Sequence, residues 1–310
     1  MVHMKHHPAS ALLWSIQPPL TGRLSVYRPA LALLAALALA MPAAAETLRI
    51  TGSTTVNVVI AEAAETLRAR TGMTILVDTT GGSTGGVSSA ADGRADLGMS
   101  SRPIDQRDRQ RHPDADLRAI SIGADAIALV VSRDVWEGGV RSLSAGQLRG
   151  IYEGRIRNWN QVGGPDQRLV FFNKEPGRGT WEVFVDFLYG AAAKAPPMAH
   201  PEVGANEEVR SKVGGTRGAL SFVSAPWVDG ERVFALALEI GPGQLVTPTV
   251  AAMANGSYPL GRPLFVISNG EPSPTAARMI EFLLASEGRE LVRRHGFVPP
   301  ARNTAAVETP

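Results

Sequence analysis

Residues 47–103 read TLRITGSTTVNVVIAEAAETLRARTGMTILVDTTGGSTGGVSSAADGRADLGMSSRP. Thr47–Thr51 alternates in the manner of a strand. After the turn Gly52-Ser53-Thr54-Thr55, the segment Val56–Arg70 puts Val59, Ile60, Ala63, Ala64 and Leu67 on one helical face. Met73–Asp78 is a second strand, followed by the glycine- and hydroxyl-rich turn Gly81–Gly86 and a weak helix over Val87–Arg94. Ala95–Met99 is a third strand, ending in Ser100-Ser101-Arg102. Strand, turn and helix in repeated order predict βαβ units, a largely parallel sheet and an α/β fold class.

The same grammar continues downstream. Ala126–Ser132 (AIALVVS) is a continuous apolar strand, Ala145–Tyr152 a short helix and Leu169–Asn173 another strand. Gly177-Arg178-Gly179-Thr180 then opens a helix carrying Trp181, Phe184, Val185 and Leu188 at i, i+3, i+4 and i+7. Gly218–Ser224 and Pro263–Ser268 read as strands, and helices around Thr275–Ala285 and Ser286–His295 close the chain.

Of 310 residues, 44% are hydrophobic and 19% charged, which is ordinary globular composition with ample material for a core. The chain has no cysteine, which excludes disulfides, a thiol nucleophile and thiolate metal sites. The basic pI of 9.1 does not point to nucleic acid. Residues 1–45 hold Lys5, Arg23 and Arg28 and no acidic residue, so removing them takes the net charge from +2 to −1. That segment reads as an export signal: basic residues, an apolar run from Ala30 to Met41, a break at Pro42 and small residues at Ala43-Ala44-Ala45, with cleavage expected before Glu46. An uncleaved membrane anchor is the alternative. His3, His6 and His7 fall in this segment and carry no metal reading.

Four strand ends feed turns rich in hydroxyls and glycine: Gly52–Thr55, Gly81–Gly86, Ser100–Arg102 and Gly177–Thr180. Ligands of open parallel sheets bind beyond the carboxyl ends of strands. Three of these turns lead into helices, whose N-terminal N–H groups and dipole suit an anion. Arg102, Lys174 and Arg178 add positive charge. Taken singly, a Ser or Thr before a helix is most often a plain N-cap. No G-x-x-x-x-G-K-[ST] or H-E-x-x-H pattern occurs. His112, His200 and His295 read as structural, and Trp159 and Trp181 as packing residues.

The segments TGSTTV, TTGGSTGGV, ADLGMSSRPI, IYEGRIRNWNQVGG, NKEPGRGTWEVF and YPLGRPLFVISNGEPS, in this order over the whole exported chain, resemble the phosphate-binding proteins of bacterial phosphate ABC importers. The resemblance implies a two-lobed periplasmic binding protein-like fold, each lobe a mostly parallel sheet flanked by helices, with two crossover strands at the hinge. It implies lobe one at 46–125 plus 262–310 and lobe two at 126–261, the crossovers being Ala126–Ser132 and Pro263–Ser268. It implies an oxyanion, phosphate first, held by Ser53, Thr54 and Thr55, by Ser83, Thr84 and Gly85, by Ser101 and Arg102, and by Lys174, Arg178, Gly179 and Thr180. The implied protein is a periplasmic monomer without cofactor or metal, touching the membrane only through an importer permease and catalysing no reaction.

Three positions depart from the family pattern. Lys174 stands where other members have Arg, and Arg178 where they have Ser. Ser101 stands where some have an Asp that accepts the proton of hydrogen phosphate. Hydrogen phosphate carries a donor and sulfate does not, so a carboxylate in the site would separate them. Asp96, Asp125 and Glu175 are the carboxylates near these segments, Asp96 reading as structural. A secreted phosphatase on the same fold, or an oxyanion sensor or surface protein without transport, remains the alternative function.

Overall fold

The first strand–helix–strand run forms as its apolar spacing dictates. β1 (Thr47–Gly52) leads into α1 (Thr54–Thr71), whose buried face includes Val56, Val59, Ile60, Ala63, Ala64 and Leu67. β2 (Thr74–Asp78), α2 (Gly82–Ala91) and β3 (Leu97–Ser100) follow. The structure is a computed structural model describing residues 47–197, 199–300 and 307–308. The expected export signal therefore lies outside the described residues.

The helix α2 starts earlier than the sequence pattern suggests. The turn Gly82–Gly86 is its first turn rather than a loop ahead of it. Close packing explains the glycines: a Cβ on Gly86 would lie 2.5 Å from the Met99 carbonyl oxygen and 2.9 Å from that of Thr51. Bare backbone lets α2 settle onto β1 and β3.

After α3 (Gln106–Arg111) comes β4 (Leu117–Ser132), one strand of 16 residues. Only its second half, from Ala126, shows as a strand in the sequence. The first half is interrupted by Arg118, Ser121, Gly123 and Asp125, and its pairing with a distant strand makes it extended. The chain continues through α4 (Arg133–Glu137), β5 (Ser142–Ser144), α5 (Ala145–Tyr152), β6 (Val170–Phe171), β7 (Asn173–Lys174) and α6 (Gly179–Tyr189). Then come β8 (Glu202–Val203), α7 (Asn206–Gly215), β9 (Ala219–Ser224), β10 (Val233–Gly241), β11 (Gln244–Val246) and α8 (Val250–Ala254). β12 (Gly261–Asn269) returns along β4, and α9 (Pro274–Leu284) and α10 (Ser286–Arg294) pack back on the first elements.

The sheet runs β11-β10-β4-β12-β3-β1-β2, with β9 also paired to β4. β2–β1–β3 are parallel, as are β6–β9 and β5–β10. The long strands β4 and β12 are antiparallel to each other and to their other neighbours. Apolar side chains collect on two sides of this junction. One core joins Leu48, Ile60, Met99, Leu264, Met279 and Phe297; another joins Leu129, Trp159, Phe171, Phe184, Phe222 and Leu260. The stacked pair Phe184–Phe222, with ring centroids 4.0 Å apart, centres the second. Among the described residues, no helix is long and apolar enough to cross a membrane.

Candidate functional site

The strand register fixes the first charge of the site. Arg262 on β12 lies directly across from Asp125 on β4, next to an irregularity in the pairing at Leu264/Phe265. Asp125 Oδ2 accepts from Arg262 Nε at 2.9 Å and Nη2 at 2.7 Å, and both side chains are buried. Burial works against charge on both partners, pulling the Arg262 guanidinium down and pushing the Asp125 carboxyl up, while their mutual attraction offsets it.

From there the guanidinium fans out to three turns. Nη1 donates to Ser101 Oγ at 3.1 Å and to Thr180 Oγ1 at 2.8 Å, and Nη2 donates to Thr55 Oγ1 at 3.0 Å. Thr55 Oγ1 also accepts from Asn206 Nδ2 at 3.0 Å. A hydroxyl has one hydrogen and two lone pairs. With lone pairs taken by Arg262 and Asn206, the hydroxyls of Thr55 and Thr180 keep their own hydrogens for another partner. Arg262 thus sets the hydroxyls as donors.

Those hydroxyls face one small cavity lined by Ser53, Thr54, Thr55, Gly82, Ser83, Ser101, Lys174, Arg178, Gly179 and Thr180. Its volume is about 10 Å³, room for about one water-sized group and far below the roughly 300 Å³ at which organic-ligand pockets begin. The N-termini of α1, α2 and α6 converge on it. Ser53 caps α1, accepting from the Val56 amide at 3.4 Å, and donates to Ser101 Oγ at 3.1 Å. Ser101 in turn lies 3.3 Å from Ser83 Oγ. Neither α2 nor α6 has a side-chain cap, which leaves first-turn N–H groups for a ligand. Gly179 allows the close approach of α6: a Cβ there would meet Ser83 Oγ at 2.5 Å and Ser101 Oγ at 2.7 Å. Larger depressions exist, one bordered by Ile151, Arg157, Arg168 and His200, but it gathers none of the four turns.

Lys174 is almost wholly buried, and its Nζ donates to Asn206 Oδ1 at 3.1 Å. Burial, then the neighbouring Arg262 and Arg178 charges, hold its ammonium well below the usual lysine range. Arg178 borders the cavity, yet its Nε and Nη2 are engaged by Glu175 Oε2 at 3.0 and 2.7 Å.

Thr84, Gly85 and Arg102 are placed outside the cavity wall. Arg102 is held by Asp108 through Nη1 at 2.5 Å and Nη2 at 3.0 Å, and its Nε lies 2.7 Å from Glu182 Oε2. Thr84 accepts from Arg102 Nη2 at 3.1 Å and donates to Glu182 Oε1 at 3.0 Å, while its amide donates to the Gly177 carbonyl. The Gly85 amide is spent inside α2, on the Gly81 carbonyl. No carboxylate lines the cavity among the described residues. Asp125 lies behind Arg262, Glu175 holds Arg178, and Asp96 accepts from the Arg49 amide at 2.7 Å.

Sequence reasoning missed Arg262 and Asn206. Arg262 sits in the quoted segment YPLGRPLFVIS, but a lone arginine before a strand has no local signature. A description as PBP superfamily domain fits a family model that matches residues 40–287. The chain belongs to the PBP superfamily. Among superfamily relatives, it is 24% identical over 260 residues to the phosphate-binding protein PstS of Bacillus subtilis, covering 83% of this chain and 81% of that one. A putative phosphate ABC transporter substrate-binding protein with bound phosphate from Clostridium perfringens superposes with TM-score 0.73 at 26% identity, over 82% of this chain and 100% of that one. An ABC-type phosphate transport receptor from Vibrio cholerae gives TM-score 0.65 at 28% identity, with the same coverage.

Proposed function

We propose that this superfamily member captures an inorganic oxyanion, phosphate first, and delivers it to the permease of an ABC importer. The observation that carries the reading is the ring of hydroxyls whose lone pairs are occupied by Arg262 and Asn206, so that Thr55 and Thr180 present donors to a small polar cavity. Three helix N-termini, Lys174 and Arg178 supply the field. The names of the relatives, all phosphate-binding or phosphate-transport proteins among those above, point the same way.

Mechanistically the protein binds and releases without a covalent step. Its two halves act as lobes, 46–125 plus 262–310 and 126–261, turning about β4 and β12. The anion enters between them and takes donors from Ser53, Thr54, Thr55, Ser83 and Ser101 on one side and Lys174, Arg178, Gly179 and Thr180 on the other. Contacts made only when both sides are near favour the closed form. Hydrogen bonds to a charged group contribute about 1.5–3 kcal/mol each, so a few suffice for micromolar binding at about −8 kcal/mol. An export signal cleaved before Glu46 would deliver the chain to the periplasm as a monomer, where intact mass starting at Glu46 checks it.

The deciding experiment is calorimetry of the purified protein against phosphate, sulfate, molybdate and tungstate. Micromolar or tighter binding of phosphate is expected. Because no carboxylate among the described residues faces the cavity, phosphate-over-sulfate discrimination is expected to be weak. No heat with any of the four anions would overturn the reading.

A further inference from the structure

Four lysines and twenty-seven arginines make up the basic residues of this chain, and the lysine at position 174 is the one walled into the cavity. The choice matters chemically. A guanidinium keeps its proton in proteins, whereas a buried ammonium gives it up readily.

The surroundings of Lys174 favour that release when the cavity is empty. An ammonium has three hydrogens to place. Asn206 Oδ1 takes one, and no carboxylate among the described residues lies within ion-pair distance of Nζ. The two arginines facing it have countercharges of their own. From β12, Arg262 is matched by Asp125 of β4; from the start of α6, Arg178 is matched by Glu175. Both push against a positive charge on Lys174. Glu175, beside it in sequence, and Glu208 on α7 pull the other way and rank below the two arginines and burial. Asn206 cannot compensate by turning over, because its Nδ2 is committed to Thr55.

A doubly charged oxyanion in the cavity reverses this balance. It brings a countercharge and further acceptors to a wall cation that, among the described residues, has one neutral acceptor and no countercharge. We infer that Lys174 is the proton-exchanging group of the cleft: it takes one proton from solvent as a dianion enters and returns it as the anion leaves. The proton adds to the amine lone pair as the N–H···O bond to the ligand forms, and nothing is oxidised or reduced. The inference rests on the cavity being the anion site proposed above. One consequence is directional: as pH rises, protons for Lys174 become scarcer and the dianion binds less tightly, by up to tenfold per pH unit for one linked proton. Lower pH favours capture and higher pH favours release.

Calorimetry with inorganic phosphate, above its second ionisation so that the free ion is a dianion, tests this in buffers of different ionisation enthalpy. The parent protein is expected to take up close to one proton per phosphate, and its Kd to rise with pH. Sulfate, which carries no titrating proton at these pH values, assigns any uptake to the protein. Lys174→Arg retains a cation that keeps its proton and is expected to bind phosphate with no proton uptake and a flat pH profile. Lys174→Met, uncharged and similar in length, is expected to fold, bind more weakly and take up no proton. Phosphate binding by the parent without proton uptake, or with uptake unchanged in Lys174→Arg, would overturn the inference and leave the functional reading standing. Failure of the parent to bind either anion would overturn both.

Discussion

Two buried polar clusters join the halves of this molecule, and they differ in how their charges are matched. In the outer cluster, Glu182 on α6 meets Thr84, Arg102 and Arg107, and Asp108 braces Arg102 from behind. Burial alone would lower the Arg102 value, but the Asp108 hydrogen bond and the charges of Glu182 and Asp108 outweigh it and raise it above the ordinary arginine value. Burial also pushes the Glu182 carboxyl up, against the pull of Arg102. In the inner cluster, Arg262 spends its charge on Asp125 and on hydroxyls, and Lys174 has, among the described residues, only the neutral Asn206. The outer cluster is saturated by the protein itself and can fasten the halves. The inner one is short of negative charge and can take an anion.

Removing the centre of the inner cluster should have the largest effect. Arg262→Met leaves Asp125 buried without a partner, which is expected to cost about 3–5 kcal/mol of stability in urea unfolding. Phosphate affinity should fall at least a hundredfold, about 2.8 kcal/mol. Pairing it with Asp125→Leu should recover most of the stability and none of the affinity. Recovery of both would show that Arg262 serves only the fold.

Next come the hydroxyls that Arg262 orients. Thr55→Val and Thr180→Val are each expected to weaken phosphate binding by about 1–3 kcal/mol. Affinity per folded molecule, measured alongside thermal stability, separates a lost ligand donor from a lost structural contact. Full affinity in both variants would erase the distinction between the clusters.

The outer cluster should respond in a different quantity. Glu182→Gln keeps the shape and weakens the link to Arg102 and Arg107. The Glu182 carboxylate bonds, among the described residues, only Thr84, Arg102 and Arg107, none of them a cavity residue, so the expected change is faster phosphate release in stopped-flow measurements, with affinity down about fivefold, roughly 1 kcal/mol. A larger loss than in the threonine variants would place ligand contacts in the outer cluster after all.

Arg178→Ser should have the smallest effect. The arginine borders the cavity, but two of its nitrogens are held by Glu175. A loss below tenfold, under about 1.4 kcal/mol, is expected. A larger loss would mean that Arg178 leaves Glu175 for the anion when the site fills.

Much of this was legible in the chain itself. The strand–turn–helix order around Ser53, Ser83 and Thr180 follows from apolar spacing and from glycine where backbone meets backbone, both local properties. The chemistry of the turns was legible too, since short hydroxyl side chains ahead of helices carry their donors with them. Tertiary structure alone decided which charges remain available to a ligand. Arg102 and Lys174 look equally ready in sequence, yet Asp108 and Glu182 claim the first and no carboxylate among the described residues reaches the second. Arg262, 207 residues from Thr55, became the organiser of the site through the register of β4 and β12. The reason is physical: a helix or turn is set by neighbours within a few residues, whereas the state of a buried charge is set by whichever opposite charge the fold brings within about 4 Å, and that pairing has no local pattern.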